Sequence, residues 1–451
     1  MKEVGFGTLN WVAVIIYLLA MLFIGVYFTK RASQSTNSFF TASGRLPSWV
    51  VGFSIYATTL SAITFMSTPE KAFLTDWSYI AGNIAIVAII PLLIYFYVPF
   101  FKKLKVTSAY EYLEARFGPS IRVIGSLLFV VYHLGRVAIV IYLPTLAITS
   151  VSDMNPYIVA SLVGLLCILY TFLGGFEGVV WSDFIQGVIL LGGALVIIIL
   201  GVMNIKGGFG TVFADAIEHK KLISADNWKL NTAAAAIPII FLGNIFNNLY
   251  QYTASVVPYF ILTEMPPFVA GLLIAAIFAA AQSTISSSLN SISACISIDI
   301  KQRFFGKDSE RHEVNFARFI IIIAGIFGFG MSLYLIASNS NDLWDLFLFV
   351  TGLFGVPLAG VFAVGIFTKR TNTFGVICGL ILGIIFAYVY NGVGKGNSPF
   401  YVSTISFTVA FVFAYILSFI VPSKHKKDIT GLTIFEKDKP STYISKTATN
   451  K

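Results

Sequence analysis

The sequence contains little charge, few cysteines and few histidines. Charged residues make up 11% of its 451 residues and hydrophobic residues 57%, whereas soluble domains carry about 25% charged residues. All three cysteines lie in apolar runs, which argues against a disulfide framework. The four histidines are scattered without metal-ligand spacing or a nucleophile motif, so we predict no enzyme activity and no catalytic residue. The net charge of +9 predicts no nucleic-acid partner, because Lys and Arg lie in the loops between apolar runs.

Apolar runs long enough to cross a bilayer recur from residue 8 to residue 422. We predict an all-α integral membrane protein with twelve readable spans: 8–28, 47–68, 77–101, 121–148, 155–175, 179–204, 233–254, 266–298, 315–338, 343–367, 374–393 and 400–422. Residues 1–422 then form one transmembrane domain, and residues 423–451 form a polar, mostly disordered cytoplasmic tail. The lipid bilayer of the cell membrane is the predicted surrounding, and no obligate protein partner is indicated.

The distribution of Lys and Arg predicts the orientation. With the N-terminus outside, the loops up to Lys229 obey the positive-inside rule. Beyond the span 233–254 the rule fails, because the basic loop 301–318 and the Lys-rich tail would lie outside. One extra crossing at Ser255–Val256 restores the rule and places the C-terminus in the cytoplasm. We therefore predict a missing segment there and about 13 transmembrane helices in the intact protein.

The stretch from Gly52 to Ser67 is apolar enough for a bilayer but rich in hydroxyl groups. Its polar side chains are Ser54, Thr58, Thr59, Ser61, Thr64 and Ser67. Polar irregular backbone persists at membrane depth only beside protein or a cavity, so the pattern predicts a helix that is broken near its middle and lines a solute or ion site. The alternative is a regular helix whose hydroxyls bond to the preceding turn.

A glycine-rich motif joins the fifth and sixth predicted spans. It reads Tyr170-Thr-Phe-Leu-Gly-Gly-Phe-Glu-Gly-Val-Val-Trp-Ser-Asp-Phe-Ile-Gln-Gly187. We predict that two helices meet at Gly174–Gly175, that Glu177 is solvated in a short loop, and that Asp183 lies inside the next span.

This motif, the polar second span, the segment Asn247-Asn248-Leu-Tyr-Gln251 and the serine-rich eighth span together resemble the sodium:solute symporter family. The resemblance implies a leucine-transporter-type fold, with two inverted five-helix repeats and broken helices near the bilayer midplane. It makes 47–68 core helix 1 and 233–254 core helix 6. The chain departs from the family after Ser255, where a Gln-Asp-x-x-Gln-Arg stretch and a further helix are absent, in agreement with the missing crossing.

The segment from Gln282 to Ser291 is also rich in hydroxyls, and hydroxyl and carbonyl oxygens suit a hard cation. The resemblance implies a sodium site formed by Ser286, Ser287 and the carbonyls of Ala57 and Leu60, lined by Ser283 and Thr284. It also implies a second sodium site at Asp183, facing Ser283, Ser286 and Ser287, so that one or two sodium ions bind. The alternatives are helix packing through small residues for the serines and a helix N-terminal carboxylate for Asp183.

Arg136 lies near the middle of a span, where an arginine is costly and usually functional. Its guanidinium suits a carboxylate, and its position resembles that of the arginine in the sialic acid branch of the family. His133 is a second polar contact or a packed ring. The predicted substrate contacts are Thr58, Thr59, Ser61, Thr64, Tyr79, Asn83, Arg136, Phe246, Asn247, Asn248 and Gln251. Helix–helix packing remains the alternative for the amides and for Phe246.

The resemblance implies a secondary transporter that carries sodium and sialic acid (N-acetylneuraminate), a small anionic sugar acid, into the cell by alternating access. The alternative is a sodium symporter for another carboxylate, such as proline or pantothenate. A channel would need a continuous polar path, whereas the polar residues concentrate near one depth.

Overall fold

The computed structural model describes most of the chain. The described residues are 6–59, 77, 84, 87, 90–91, 93–104, 106, 108–149, 152–222, 266, 268–338, 349–393, 399–421 and 428–436. Within these ranges every secondary-structure element is a helix, and seven helices are long and apolar enough to cross a membrane. The prediction of an all-α membrane protein is therefore confirmed.

The helices are numbered here in chain order. They are α1 (Thr8–Ala32), α2 (Thr36–Thr41), α3 (Ser48–Thr59), α4 (Val98–Leu104), α5 (Ala109–Arg116), α6 (Pro119–Thr149), α7 (Pro156–Asn204), α8 (Gly208–Glu218), α9 (Val269–Ala294), α10 (Glu310–Ala337), α11 (Val356–Phe367), α12 (Thr373–Val393) and α13 (Pro399–Ile420). Short π-helical stretches precede α4 and α11, and another extends α9 through Cys295–Lys301. The predicted span 233–254 and the junction Ser255–Val256 lie outside the described residues.

Helix α7 reverses its direction at Gly175, whose φ of 54° and ψ of −157° are open to glycine. A Cβ at this position would lie 3.0 Å from the ring of Phe39. Before the break, Tyr170 packs against Gly25 of α1, and after it, Gln186 reaches back to Tyr17. The two halves of α7 therefore run antiparallel along α1, as the sequence predicts for two spans that meet at Gly174–Gly175.

Asn10 of α1 fixes the start of α9. Its Oδ1 accepts hydrogen bonds from the backbone N–H groups of Phe268 and Gly271, both at 3.0 Å, and so pairs two donors that a helix N-terminus leaves open. At the opposite end of the bundle, the Glu310 carboxylate at the start of α10 accepts a hydrogen bond from Thr36, just after α1. Helices α1 and α9 thus run in the same direction, from a first end marked by Asn10 to a second end marked by Thr36.

The close approach of α1 and α9 gives a testable prediction. A Cβ on Gly271 would lie 2.5 Å from backbone atoms of Asn10, so Gly271→Ala must push the two helices apart. We expect a loss of about 1–3 kcal/mol in the free energy of unfolding, the usual cost of overpacking, measured as a lower midpoint of thermal unfolding in detergent. Gly192→Ala is the control, since a Cβ there meets nothing within 4 Å. Equal midpoints for the two variants would contradict this packing.

Charged side chains at the second end form a buried network. Arg122 pairs with Glu114 at 2.8 Å and with Asp299 at 2.7 Å, and Arg303 adds a pair to Glu114 at 2.9 Å. Burial raises the pKa of Glu114, but hydrogen bonds from the two guanidinium groups outweigh it, and the net shift of this pKa is downward. Glu114 therefore remains ionised and ties α5 to α6 and to Arg303, in the short helix Gln302–Phe305 that follows the extension of α9.

Glu177 is buried, so the prediction of a solvated loop residue was wrong. The residue is 3% exposed. Arg31 donates to its carboxylate at 3.2 Å, and Arg45 lies 3.7 Å away. Because the reversal at Gly175 folds this turn against the end of α1, the carboxylate is hidden beneath the two arginines.

Part of the polar tail packs on the second end of the bundle, which its composition does not predict. Leu432 is fully buried, and its carbonyl accepts a hydrogen bond from the Tyr112 hydroxyl at 3.1 Å. The Lys369 ammonium lies 5.8 Å from the centre of the Phe435 ring. The short apolar run from Leu432 to Phe435 supplies these contacts, whereas the rest of the tail after residue 436 lies outside the described residues.

Candidate ion and solute site

Two helices, α3 and α9, bring hydroxyl groups to one buried carboxylate on a third helix, α7. Asp183 of α7 is 1% exposed. Its Oδ2 accepts hydrogen bonds from Ser54 Oγ at 2.8 Å and Thr58 Oγ1 at 3.2 Å, both on α3. Its Oδ1 lies 3.5 Å from Ser286 Oγ on α9, and Ser283 Oγ lies 3.5 Å from Thr58 Oγ1. These five residues are called the Asp183 cluster below.

Helical spacing explains why these side chains meet. Ser54 and Thr58 are four residues apart and Ser283 and Ser286 are three apart, so each pair lies on one face of its helix. Gly187, one turn after Asp183, lets α3 approach α7, since a Cβ there would lie 3.1 Å from the Ala57 Cβ. The sequence thus places five oxygen-bearing side chains around one point inside the bundle.

The charge on Asp183 has no cationic partner among the described side chains. Leaving an ionised carboxylate buried without compensation costs several kcal/mol. A hard cation that accepts hydroxyl and carboxylate oxygens would supply the compensation, and the cluster offers only oxygen ligands. The observed partners are hydroxyls of neighbouring helices, which is not the arrangement of a carboxylate that caps its own helix.

The described residues predicted for the other ion site, Ala57, Ser286 and Ser287, lie beside this cluster. Ser286 Oγ and Ser287 Oγ donate to the Ser283 carbonyl at 3.1 and 2.8 Å. Thr284 Oγ1 lies 3.5 Å from the Thr58 carbonyl and so links α9 to α3, directly after the buried Ala57. The structure therefore brings Ala57 and the serine-rich part of α9 onto adjoining helices. Ser287 Oγ donates to the Ser283 and Thr284 carbonyls of its own helix, and among the described residues it forms no hydrogen bond with Asp183.

Ser54 makes the shortest hydrogen bond to Asp183, yet it is absent from the predicted site residues. It belongs to the hydroxyl-rich stretch, and its spacing of four from Thr58 was the available signal. The register of α3 against α7, which selects one face of this stretch, is set by packing at Gly187 and does not follow from the stretch alone.

Arg136 is partly buried on α6 and forms no ion pair with any residue that the structure describes. His133, one turn earlier, is 8% exposed and packs its ring 4.1 Å from that of Phe129 and 4.9 Å from that of Tyr132. Its Nδ1 has no hydrogen-bond partner among the described residues. The contacts of His133 thus favour the packed-ring interpretation.

The remaining predicted site residues lie outside what the structure describes, or are described in backbone only. Thr59 closes α3, and nothing is described of its side chain. The others are Leu60, Ser61, Thr64, Tyr79, Asn83, Phe246, Asn247, Asn248 and Gln251. Their roles stay predictions.

An all-helical membrane protein that surrounds a buried carboxylate with hydroxyls from two neighbouring helices has the architecture of an ion-coupled transporter. The chain belongs to the sodium:solute symporter family, whose family model matches residues 39–246 and 231–383.

Similar proteins include the sodium/sialic acid symporter SiaT of Proteus mirabilis, 40% identical over 84% of this chain and 89% of the relative. The sodium/sialic acid symporter NanT of Aliivibrio fischeri is 38% identical over 85% of this chain and 88% of the relative. The human sodium-coupled monocarboxylate transporter 1 is 27% identical over 82% of this chain and 71% of the relative. A solved structure described as the substrate-bound outward-open state of a Na+-coupled sialic acid symporter matches with a TM-score of 0.86 and 36% identity, covering 94% of this chain and all of the other.

Proposed function

We propose that the chain is a sodium:sialic acid symporter that imports N-acetylneuraminate across the cell membrane by alternating access. The observation that carries the proposal is the Asp183 cluster, a buried carboxylate on α7 surrounded by hydroxyls of α3 and α9. The names of the two relatives near 40% identity support both the ion and the solute. We propose no catalytic residue and no nucleic-acid partner.

Sodium is proposed to act by holding α3 and α9 together. One ion binds Asp183 with Ser283 and Ser286, and another binds Ser286, Ser287 and the carbonyls of Ala57 and Leu60. Each ion replaces hydrogen bonds between neighbouring side chains by cation–oxygen contacts that span both helices. Because the hydroxyl-rich stretch after Thr59 belongs to the proposed solute pocket, fixing α3 against α9 couples ion binding to solute binding.

The solute is proposed to bind through its carboxylate to Arg136. A guanidinium without an ion pair among the described residues is available for a bidentate contact with a carboxylate. Thr58, Thr59, Ser61, Thr64, Tyr79, Asn83, Phe246, Asn247, Asn248 and Gln251 complete the proposed pocket. The second candidate function is sodium symport of a smaller carboxylate, which the likeness to a monocarboxylate transporter favours.

Two sodium ions and one monoanionic solute carry one net positive charge inward. Each charge that crosses 100 mV contributes about 2.3 kcal/mol, so transport is expected to be electrogenic. The test is uptake of labelled N-acetylneuraminate into proteoliposomes with sodium or choline outside and an imposed negative internal potential. Saturable uptake that needs sodium and accelerates with the potential supports the proposal. Uptake that is the same in choline overturns it, and uptake that never saturates indicates a channel.

The orientation is proposed to be N-terminus outside and C-terminus cytoplasmic, with the first end of the bundle outside. Arg31, Arg45, Arg122 and Arg303 lie at the second end, where the positive-inside rule expects basic residues. Impermeant maleimide added to intact cells should label Lys221→Cys and spare Arg370→Cys. The reverse pattern would overturn the orientation.

The path between α7 and α9 supports a missing crossing. The second half of α7 returns toward the first end, where Gly193 packs on Leu273, and α9 starts at that same end beside Asn10. A chain that leaves and re-enters at one face must cross the membrane an even number of times, yet the sequence offers a single span there, 233–254.

The alignment with the Proteus relative also supports a missing segment. It extends over 441 positions but covers 84% of this chain, as expected if the relative has residues without counterpart here.

A further inference from the structure

A second layer of buried polar side chains lies directly behind the Asp183 cluster. The Tyr17 hydroxyl of α1 donates to Gln282 Oε1 at 2.7 Å and accepts from Gln186 Nε2 at 3.1 Å. Tyr17 is 3% exposed, Gln186 1% and Gln282 0%. One hydroxyl therefore bridges the amides of α7 and α9, the two helices that supply Asp183 and Ser286.

The positions of these amides relate the layer to the ion site. Gln186 follows Asp183 by one helical turn, and Gln282 immediately precedes Ser283. Gln282 is itself held from behind, because its Nε2 donates to the carbonyls of Leu162 and Val163 at 3.3 and 3.2 Å. The Gln282 amide is held in place, and the Tyr17 hydroxyl joins it to Gln186. These contacts, within one helical turn of the cluster, thus set the distance between the Asp183 carboxylate and the serines of α9.

A further contact ties this layer to the first half of α7. The Tyr170 hydroxyl donates to the Gln282 backbone carbonyl at 3.2 Å and lies 3.4 Å from Gln186 Nε2. Removing the Tyr17 hydroxyl leaves the Gln282 oxygen without its donor and weakens the hold on Gln186, in an interior where unpaired polar groups are unfavourable. Gln186 then keeps only its longer contacts to Met21 and Tyr170, and the second half of α7 loses the link to α9 that runs through Tyr17.

We propose that Tyr17, on the helix that precedes the two repeats, is a positioning residue for the cation site at Asp183. It acts through Gln186 and Gln282 and sets the spacing at which Asp183 and Ser286 share one ion. This inference rests on the proposed function, since it assumes that sodium binds the Asp183 cluster.

The test measures sodium binding without any solute, as the rise in the thermal unfolding midpoint of the full-length protein with sodium at constant ionic strength in choline chloride. Tyr17→Phe removes only the bridging oxygen. We expect the half-saturating sodium concentration to rise about fivefold, from the typical worth of such a hydrogen bond. The apparent KM for N-acetylneuraminate at saturating sodium should stay within about twofold, below the threefold change that a single weak hydrogen bond produces.

Tyr27→Phe is the matched control, because Tyr27 lies on the same helix and is 58% exposed. In an Asp183→Asn background, Tyr17→Phe should leave the remaining sodium dependence unchanged. Sodium stabilisation of the wild type with no difference between Tyr17→Phe and Tyr27→Phe overturns this inference alone. A Tyr17→Phe variant that loses stability and solute affinity together, with unchanged sodium affinity, assigns Tyr17 a purely structural role and also overturns it. If sodium does not stabilise the wild type, the proposed function is rejected, and the inference about Tyr17 that rests on it is rejected with it.

Discussion

Asp183→Asn should lower the affinity for sodium at least tenfold and reduce the Hill coefficient for sodium from near two toward one. The amide keeps the size of the side chain and its ability to accept from Ser54 and Thr58 but removes the charge that an ion would neutralise. Contacts to charged groups contribute about 1.5–3 kcal/mol, which corresponds to more than tenfold in an equilibrium constant. The measurement is initial uptake in proteoliposomes as a function of sodium concentration.

Asp215→Asn is the control for this variant, because Asp215 lies on α8 with 66% of its side chain exposed. It should leave the sodium titration unchanged. If Asp183→Asn retains the wild-type Hill coefficient and half-saturating sodium concentration, the Asp183 cluster is not a cation site, and its hydroxyls serve only to satisfy a structural carboxyl group.

Arg136→Ala should weaken binding of N-acetylneuraminate by about thirtyfold or more, since truncating one partner of a buried charge pair costs about 2–5 kcal/mol. Arg136→Lys should bind N-acetylneuraminate less tightly than the wild type but more tightly than Arg136→Ala, because an ammonium keeps the charge but not the paired N–H geometry. Sodium-dependent stabilisation in the absence of solute should persist in both variants. The measurement is calorimetric binding in saturating sodium.

Arg311→Ala provides the comparison, since Arg311 is an exposed arginine near the start of α10. If Arg136→Ala binds the solute with unchanged affinity, two proposals are contradicted: that Arg136 contacts the solute carboxylate, and that the solute is a sugar acid. Affinity lost for N-acetylneuraminate but retained for a smaller monocarboxylate would instead favour the second candidate function.

The seven membrane-length helices among the described residues could be predicted because each is a long hydrophobic run, which depends on local composition alone. The reversal at Gly175 was also predictable, because paired glycines interrupt two apolar runs there. The burial of Glu177 and the docking of Leu432 were not, since both depend on how distant segments pack at the second end. Local sequence patterns therefore predicted the helices but not the contacts between distant segments.

The site shows the same division. Asp183 and the α9 serines stood out as polar groups within apolar runs, and the structure brings them together. Ser54 was one of six hydroxyls in its stretch, and its contact with Asp183 could not be chosen from the sequence, because the facing helix decides which hydroxyl is used. The Tyr17–Gln282 contact was not predicted for the same reason. The solute pocket rests on residues outside the described ranges, so its composition remains a proposal that Arg136 variants test first.

The central claim is that sodium and a sugar acid bind together. It is tested most directly by calorimetric titration of N-acetylneuraminate into purified full-length protein, once in sodium and once in choline at equal ionic strength. We expect saturable binding in sodium and none in choline. Equal binding in both salts would contradict the coupling, and no binding in either would contradict the choice of solute.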